Sequence, residues 1–176
     1  ENNKWGYFPA AGLSWNAHNE SFLKEVKEIN KLKFSVTYGQ VGNSAIGPSQ
    51  TLTSGLIRDY IINGQQVSGA IPGSQLANPD LKWETTTTLN AKLDFGLLSN
   101  RISGTFEYYD GRTTDLLQDE SLPPLLGYTF QKVNLGELQN SGIEANLNFG
   151  VIRKEDFNVD LGFIFTRNRN KLLSLG

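Results

Sequence analysis

A strict alternation of apolar and polar residues on both sides of one short turn constrains this chain more than any other feature. Residues 89–95 and 102–108 alternate with a period of two, and Ser99-Asn100 lies between them. Period-two alternation on both sides of a tight turn is the pattern of a β-hairpin. The apolar positions are Leu89, Ala91, Leu93, Phe95, Ile102, Phe106 and Tyr108. The pattern therefore predicts two antiparallel strands with one apolar and one polar face.

The same alternation recurs along the chain and predicts six strands, which cover residues 5–15, 32–38, 89–95, 102–108, 136–149 and 157–165. Pro9 lies in the first run, where it cannot donate a ladder hydrogen bond, so we expect a bulge or local break there. The helical spacing of Phe22, Val26 and Ile29, with Ser21 as N-cap, predicts a short helical turn between the first two strands. The predicted fold class is all-β, an antiparallel up-and-down meander.

The connections between the predicted strands alternate in length. Those at residues 17–30, 99–100 and 153–156 are short or compact, whereas those at about 43–82 and 117–133 are long and polar. We expect a little internal order in the first long loop, supplied by Ile57, Tyr60 and the two isoleucines that follow. Alternate connections of a meander lie at the same edge, so both long loops fall at one end. Short turns at one end and long loops at the other are typical of outer-membrane barrels.

Composition narrows the classes of function. The chain has no cysteine, one histidine (His18) and a formal net charge of -2. These values argue against a thiolate metal site, a serine–histidine triad and a basic surface for nucleic acid. We therefore predict no enzyme activity, no catalytic residues, no metal site, no cofactor and no nucleic-acid partner. The absence of methionine and of a signal peptide indicates a piece of a longer protein.

Two architectures fit the alternation. In a transmembrane β-barrel the apolar parity faces lipid, whereas in a soluble β-sandwich, such as a carbohydrate-binding or adhesion module, it faces a second sheet. The strand pattern alone is compatible with both. The sorting of long and short connections favours the barrel, because a sandwich has no reason to sort its loops in this way.

The segment 78–84, with the sequence Asn-Pro-Asp-Leu-Lys-Trp-Glu, resembles a signature of the SusC/RagA-type TonB-dependent outer-membrane transporters. Further segments resemble the same family in the same order over almost the whole chain: residues 5–9, 13–15, 22–24, 32–33, 38–43, 93–96, 100–104, 108–109, 114–117, 140–144 and 168–171. The resemblance implies that residues 1–176 are a segment of one transmembrane β-barrel domain, from the C-terminal half of a barrel of about 22 strands. It also implies that the plug domain is absent from this chain.

The resemblance further implies a function. Members of the family import glycans or peptides across the outer membrane of Gram-negative bacteria. They work with a surface lipoprotein of the SusD type and are powered by the TonB complex, which acts through the plug. The expected partners are therefore a SusD-like lipoprotein, the TonB complex through the missing plug, a glycan or peptide substrate and outer-membrane lipid.

Six aromatic residues are the candidate site residues. Trp5, Trp15 and Trp83 are predicted membrane-interface aromatics, because amphipathic rings favour that position. Trp5 and Trp15 lie ten residues apart, roughly 23 Å along a barrel axis for one tilted strand. The loop aromatics are the candidates for contact with cargo or lid, since loops on a rigid scaffold carry function; they are Tyr60, Tyr128 and Phe130. For the segment 78–84 we expect a structural role rather than ligand contact.

Overall fold

The computed structural model describes residues 3, 5–44, 47, 51–53 and 55–175. Eleven strands lie in this part of the chain: β1 Ala10–Asn16, β2 Ile29–Asn43, β3 Gly55–Ile62, β4 Gln65–Pro72, β5 Gln75–Leu76, β6 Glu84–Leu97, β7 Ile102–Thr114, β8 Leu117–Ser121, β9 Phe130–Asn134, β10 Glu137–Arg153 and β11 Asn158–Ser174. One α-helical turn, α1, covers Ser21–Lys24, and 3-10 turns cover Ala17–Asn19 and Pro124–Leu126. Among the described residues no helix has the length and apolar character needed to cross a membrane.

Six strands form one antiparallel sheet, called here the wall, in the order β1-β2-β6-β7-β10-β11. The six wall strands are neighbours in the sheet in the same order as in the sequence, and the strands between them in number belong to the long connections. The predicted six-stranded meander is therefore confirmed. The helical turn, residues 98–101 and residues 154–157 connect strands at one end, called here the turn end. Both long connections lie at the other end, called here the loop end.

The two faces of the wall differ in chemistry along every ladder. On one, the apolar face, Phe34, Leu93, Phe106, Ala145 and Phe165 form a continuous row across five strands. The other, the polar face, has the corresponding row Ser35, Lys92, Glu107, Glu144 and Thr166. Strand side chains alternate between faces, so the register fixes both rows together.

The wall is one layer thick, and the described residues contain almost no core. Only two of their apolar residues are buried, Ala17 and Leu81. Large side chains of the apolar face stay exposed, for example Phe163 at 59% and Leu161 at 50%. No second sheet covers this face in the described part of the chain. Within these residues, the apolar packing that a soluble β-sandwich requires is not formed.

The first wall strand is shorter than the sequence indicates. It begins at Ala10, so the prediction of a strand over residues 5–15 was wrong for Trp5 to Pro9. Pro9 has no N–H to give to the ladder, and only its carbonyl is used, accepting a bond of 3.0 Å from the Gln40 amide. The Phe8 ring lies over Gly6 and Gly42, where a Cβ atom would collide with it.

The helical turn is also shorter than predicted. The α-helix has four residues, and Val26 and Ile29 lie beyond it. Its N-cap is Glu20, not Ser21, and no side-chain capping bond forms. The Glu20 carboxylate instead accepts a hydrogen bond of 2.9 Å from the indole Nε1 of Trp15.

The long connections contain more structure than the sequence analysis expected. In the first, β3 and β4 pair as an antiparallel hairpin. Its turn is Asn63-Gly64, with φ of 54° and 76°, the left-handed geometry that an Asn-Gly hairpin turn requires. The connections also share a second sheet, in which β9 pairs with β8 and with β5. The sequence signal for the hairpin, Asn-Gly between two runs containing isoleucine and valine, was overlooked.

One glycine of the polar face makes room for a side chain from the neighbouring strand. The Tyr109 side chain crosses Gly142, which is buried, and its hydroxyl donates a hydrogen bond to the Asn168 side chain. A Cβ atom at position 142 would lie 2.6 Å from that hydroxyl oxygen and 2.7 Å from Asn168 Oδ1. Gly142 therefore permits a side-chain link that spans three strands.

We predict that Gly142→Ala displaces Tyr109 and lowers the stability of the full-length barrel by about 1–3 kcal/mol, the cost of a lost hydrogen bond plus strain. The measurement is the thermal unfolding temperature in detergent. The control is Gly39→Ala on the same face, where the new Cβ would meet only Ala10 at an ordinary 3.5 Å. Equal unfolding temperatures for the two variants would contradict the prediction.

Candidate functional site

The loop end of the wall holds the candidate site, because both long connections meet there in one small sheet. Strand β9 pairs antiparallel with β8 along Leu117↔Asn134 to Ser121↔Phe130, and parallel with β5. The Ser74 carbonyl accepts three hydrogen bonds, from the Thr129 amide at 2.7 Å, the Thr129 hydroxyl at 3.0 Å and the Phe130 amide at 3.2 Å. The two connections are therefore fixed to each other.

The segment 78–84 attaches this small sheet to the wall. Asn78 Nδ2 donates to the Lys132 carbonyl at 2.9 Å, and Asn78 Oδ1 accepts from the Asp80 amide at 3.1 Å. The second bond closes an Asx turn around Pro79, whose fixed φ suits a tight turn. Leu81 is buried, at 3% exposure. These contacts are structural, in line with the role expected for this segment.

The Asn134 side chain links two backbone segments at the same place. Its Oδ1 accepts from the Lys82 amide at 2.8 Å. Its Nδ2 donates to the Lys82 carbonyl at 2.9 Å and to the Asp115 carbonyl at 2.8 Å. Asn134 therefore pairs with Lys82 as a neighbouring strand would, and it satisfies backbone groups that have no ladder partner there.

The Glu84 carboxylate makes the corresponding link at the start of β6. One oxygen accepts from the Leu117 amide at 2.9 Å, and the other accepts from Asn43 Nδ2 at 2.7 Å. Asn43 is the last residue of β2, and Leu117 is the first residue of β8. One side chain thus holds both long connections where they leave the wall.

Two of the three predicted interface tryptophans meet at the loop end. Trp83 packs against Phe8 with ring centroids 5.6 Å apart, and its Nε1 donates to the Asn3 carbonyl at 3.3 Å. Phe8 lies over Gly42, a residue of the apolar parity, so this aromatic group belongs to the apolar side. Trp5, 88% exposed, lines the same cleft of about 220 Å³.

Trp15 lies at the turn end of the same face. Its ring stacks on Phe34 at a centroid distance of 5.8 Å and lies 6.5 Å from Phe22. Phe34 and Gly42 are eight residues apart on β2, about 26 Å along the strand or roughly 20 Å along a tilted barrel axis. The structure thus places aromatic groups at both margins of the apolar face, separated by close to the height of a membrane barrel's apolar band.

Tyr60 lies on the β3–β4 hairpin, opposite Val67 and 47% exposed. Beside it, the Asp59 carboxylate accepts hydrogen bonds from the Ser68 hydroxyl at 2.5 Å and from Gln66 Nε2 at 2.8 Å. The bond from Ser68, and then that from Gln66, hold the pKa of Asp59 below its usual value. The ordered polar cluster and the Tyr60 ring therefore lie on opposite faces of the hairpin, because successive side chains of a strand point to opposite sides.

Phe130 lies in the small sheet and Tyr128 lies two residues before it, between the 3-10 turn and β9, apart from the hairpin that carries Tyr60. Phe130 is the first residue of β9, and both rings are half-buried. More exposed apolar side chains precede them, Leu125 at 99% and Leu126 at 54%, in the 3-10 turn. Sequence reasoning missed these leucines, although the Pro-Pro pair before them and Gly127 after them mark an exposed turn.

The polar face carries groups suited to a hydrated interior. Asp94 lies 3.8 Å from both Lys31 Nζ and Lys92 Nζ, and Asn90 Nδ2 donates to the Thr37 hydroxyl at 3.2 Å. Among the described residues no group of three or more histidine, aspartate or glutamate side chains is arranged to hold a metal ion. This face therefore exposes charged and hydrogen-bonding side chains.

A family model described as "TonB dependent receptor-like, beta-barrel" matches residues 1–174. The chain belongs to this family. The match covers the whole wall and both long connections, so the six strands are consecutive strands of a receptor barrel. The predicted resemblance is confirmed.

Curated relatives and solved structures agree with this assignment. The chain is 38% identical to TonB-dependent receptor P3 of Formosa agariphila, over 99% of the chain and 17% of that protein. It is 33% identical to TonB-dependent receptor SusC of Bacteroides thetaiotaomicron, over 99% of the chain and 18% of that protein. A structure of the RagAB peptide importer in the "open-open" state is also similar, with a TM-score of 0.86 and 29% identity. The match covers 97% of this chain and 18% of the chain in that structure. The chain thus spans under a fifth of the length of these relatives.

We predict that Asn134→Ala detaches the small sheet from the segment 78–84, because three hydrogen bonds disappear together. The expected result in the full-length receptor is faster proteolytic cleavage within residues 115–135, by about tenfold or more, for a loss of more than about 1.4 kcal/mol of local stability. Asn134→Asp should behave similarly, since a carboxylate cannot donate to two carbonyls.

The control is Asn148→Ala on the wall, where the amide donates to the Asn146 side chain on the same strand. A cleavage rate in Asn134→Ala as slow as in this control would show that the bridge does not hold the loop.

Proposed function

We propose that this chain is part of a TonB-dependent transporter in the outer membrane of a Gram-negative bacterium, which imports a glycan or a peptide with a SusD-like surface lipoprotein. The observation that carries the proposal is the single-layer wall, whose exposed apolar face has aromatic groups at both margins. Lipid is the environment that such a face requires, because an exposed apolar surface of this extent is unfavourable in water.

The wall's connections support an orientation for the segment. Outer-membrane barrels place short turns on the periplasmic side and long loops outside. The loop end therefore faces the cell exterior, where a cargo or a surface lipoprotein would be met. The polar face then lines the barrel interior, and the TonB complex would act through a plug contributed by another part of the protein.

The names of the relatives support the class of cargo and partner. One similar structure is titled a peptide importer, and one similar sequence is named SusC. Both classes of cargo therefore stay in the proposal. Import of this kind changes no covalent bond of the cargo, so the proposal includes no catalytic step in this chain.

The loop residues Tyr60, Tyr128 and Phe130 are proposed as contacts for cargo or lid. They lie on two surfaces at the loop end: the β3–β4 hairpin carries Tyr60, and the entry to the small sheet carries Tyr128 and Phe130. The exposed Leu125 and Leu126 extend the second of these surfaces. Aromatic and aliphatic side chains on a rigid support lose little entropy on binding, which favours them as contacts. Trp5, Trp15 and Trp83 are proposed as membrane-interface residues.

The membrane location can be tested by single cysteine substitution, since the chain has no cysteine of its own. We predict that Leu93→Cys and Phe163→Cys in the full-length receptor react with a lipid-soluble maleimide and resist a charged, water-soluble one. Ser35→Cys and Asn90→Cys, on the polar face, are the matched controls. They should react with the charged, water-soluble maleimide at positions that the plug does not cover. Rapid labelling of the two apolar-face variants by the water-soluble reagent would contradict the transmembrane assignment.

The contact residues can be tested by uptake. We predict that Tyr128→Ala with Phe130→Ala, and separately Tyr60→Ala, weaken cargo binding or lipoprotein retention by about fivefold or more, as expected when an aromatic contact is lost. The measurements are uptake of labelled oligopeptide and oligosaccharide pools by cells with and without TonB, and the yield of co-purified lipoprotein. The control, Phe157→Ala, removes an exposed ring at the turn end and should leave both unchanged. Equal behaviour of all variants would remove these residues from the proposed site.

A further inference from the structure

The apolar face contains a groove. The alternation of apolar and polar residues along the strands does not by itself produce one. It has a volume of about 330 Å³ and runs over Ala91, with Phe34, Phe106, Tyr108 and Ile143 at its sides. Ala91 is the small member of the row Val36, Ala91, Tyr108 and Ile143, so the wall is locally thinner between larger side chains. The walls of the groove are almost wholly apolar, which is the lining that an alkyl chain requires.

The same row continues into a group of cations. Ile143 faces Arg167 on β11, and the next two residues of the same parity are Arg169 and Lys171. Alternate residues of a strand point to the same side and lie about 6.6 Å apart, so the three charges form a column on the apolar side, directed towards the loop end. Within the described part of the chain, none of the three side chains makes a hydrogen bond or ion pair.

The carboxylates nearby on this face are already engaged. Asp110 accepts a hydrogen bond from Gln139 Nε2 at 2.8 Å, and Glu137 forms an ion pair with Arg112. Asp110 faces Ser141 on β10, and Ser141 in turn faces Arg169. On β7, β10 and β11 beyond the apolar rows, the cations of this face outnumber the carboxylates. The excess positive charge lies just past the groove, where an outer leaflet would have its headgroups.

We propose that the groove and the cation column, Arg167, Arg169 and Lys171, together bind one phosphorylated lipid of the outer leaflet. An acyl chain lies over Ala91, and the lipid phosphate contacts the column. Arginine is suited to this role because its planar guanidinium donates two parallel hydrogen bonds to phosphate oxygens. The long side chains reach along the wall from the apolar zone to the headgroup level. This inference rests on the proposed function, which places the loop end at the outer leaflet.

The test uses the full-length receptor, stripped of lipid in detergent and titrated with purified diphosphoryl lipid A. Native mass spectrometry counts the bound lipids and gives their affinity. The same lipid with its phosphates removed, and inorganic phosphate alone, are the two ligand controls. We expect tight binding only for the phosphorylated lipid, weaker binding for the dephosphorylated form and no measurable binding of inorganic phosphate.

Two variants test the two parts of the site. Arg167→Gln, Arg169→Gln and Lys171→Gln combined should lower lipid A affinity by about tenfold or more, since each basic residue near a lipid surface contributes severalfold to the binding constant. Ala91→Phe fills the groove, keeps every charge, and should lower the affinity for both lipids. The matched control is Lys24→Gln, Lys27→Gln and Lys154→Gln, which removes three charges at the turn end and should bind as the wild type does.

The proposal would be overturned if the triple variant bound lipid A with the same affinity as the wild type does. Equal affinity for the phosphorylated and dephosphorylated lipids would also overturn it, because the groove would then act without the cations. These outcomes leave the transporter assignment intact, provided that the purified receptor is a detergent-solubilised barrel. A receptor that is monodisperse in water without detergent would instead refute the transmembrane assignment.

Discussion

The wall depends on one constraint: a sheet one layer thick must satisfy its backbone within itself, because its described residues form almost no core and, in the proposed barrel, one of its faces meets lipid. Every wall strand except the outermost two has ladder partners on both sides. In hydrocarbon an unpaired amide or carbonyl costs several kcal/mol, so strand pairing, not side-chain burial, holds such a sheet together. The near-absence of buried apolar residues in the described chain, Ala17 and Leu81 apart, follows directly from this architecture.

The same constraint acts where the strands leave the wall. The long connections lose their ladder partners at the rim, and polar side chains take over the pairing. Asn78, Glu84 and Asn134 each make two or more hydrogen bonds. Their partners lie in the opposite connection, in their own connection or at the end of β2. Their amides and carboxylate reproduce what a neighbouring backbone would supply. The segment 78–84 is therefore a structural support, and the loops that it holds carry the proposed contact residues.

The sequence predicted the wall well because period-two alternation is a local signal that the register must respect. It failed where the deciding contact is distant in the chain. The first strand begins only at Ala10, and the Phe8 ring before it lies over Gly42, a contact that no local pattern shows. The Asn63-Gly64 hairpin, by contrast, had a local signal that was outweighed by the polar composition around it. The candidate site was predicted as a set of aromatic residues, but their division between a hairpin and a small sheet required the fold.

Alternation also connects the transmembrane wall to recognition at its margin. The parity that places Phe163 and Phe165 on the apolar face necessarily places Arg167, Arg169 and Lys171 on the same side. On β11 the apolar side changes from phenylalanine at residue 165 to arginine at residue 167, and the polar side has asparagine at residues 168 and 170. In the proposed orientation, this change marks the height at which hydrocarbon gives way to headgroups. A strand with only a hydration requirement there could use any polar residue. Three cations in succession, beside carboxylates that are already paired, instead specify the sign of charge that the wall meets, and so connect the depth of the barrel in the membrane to the chemistry of the lipid around it.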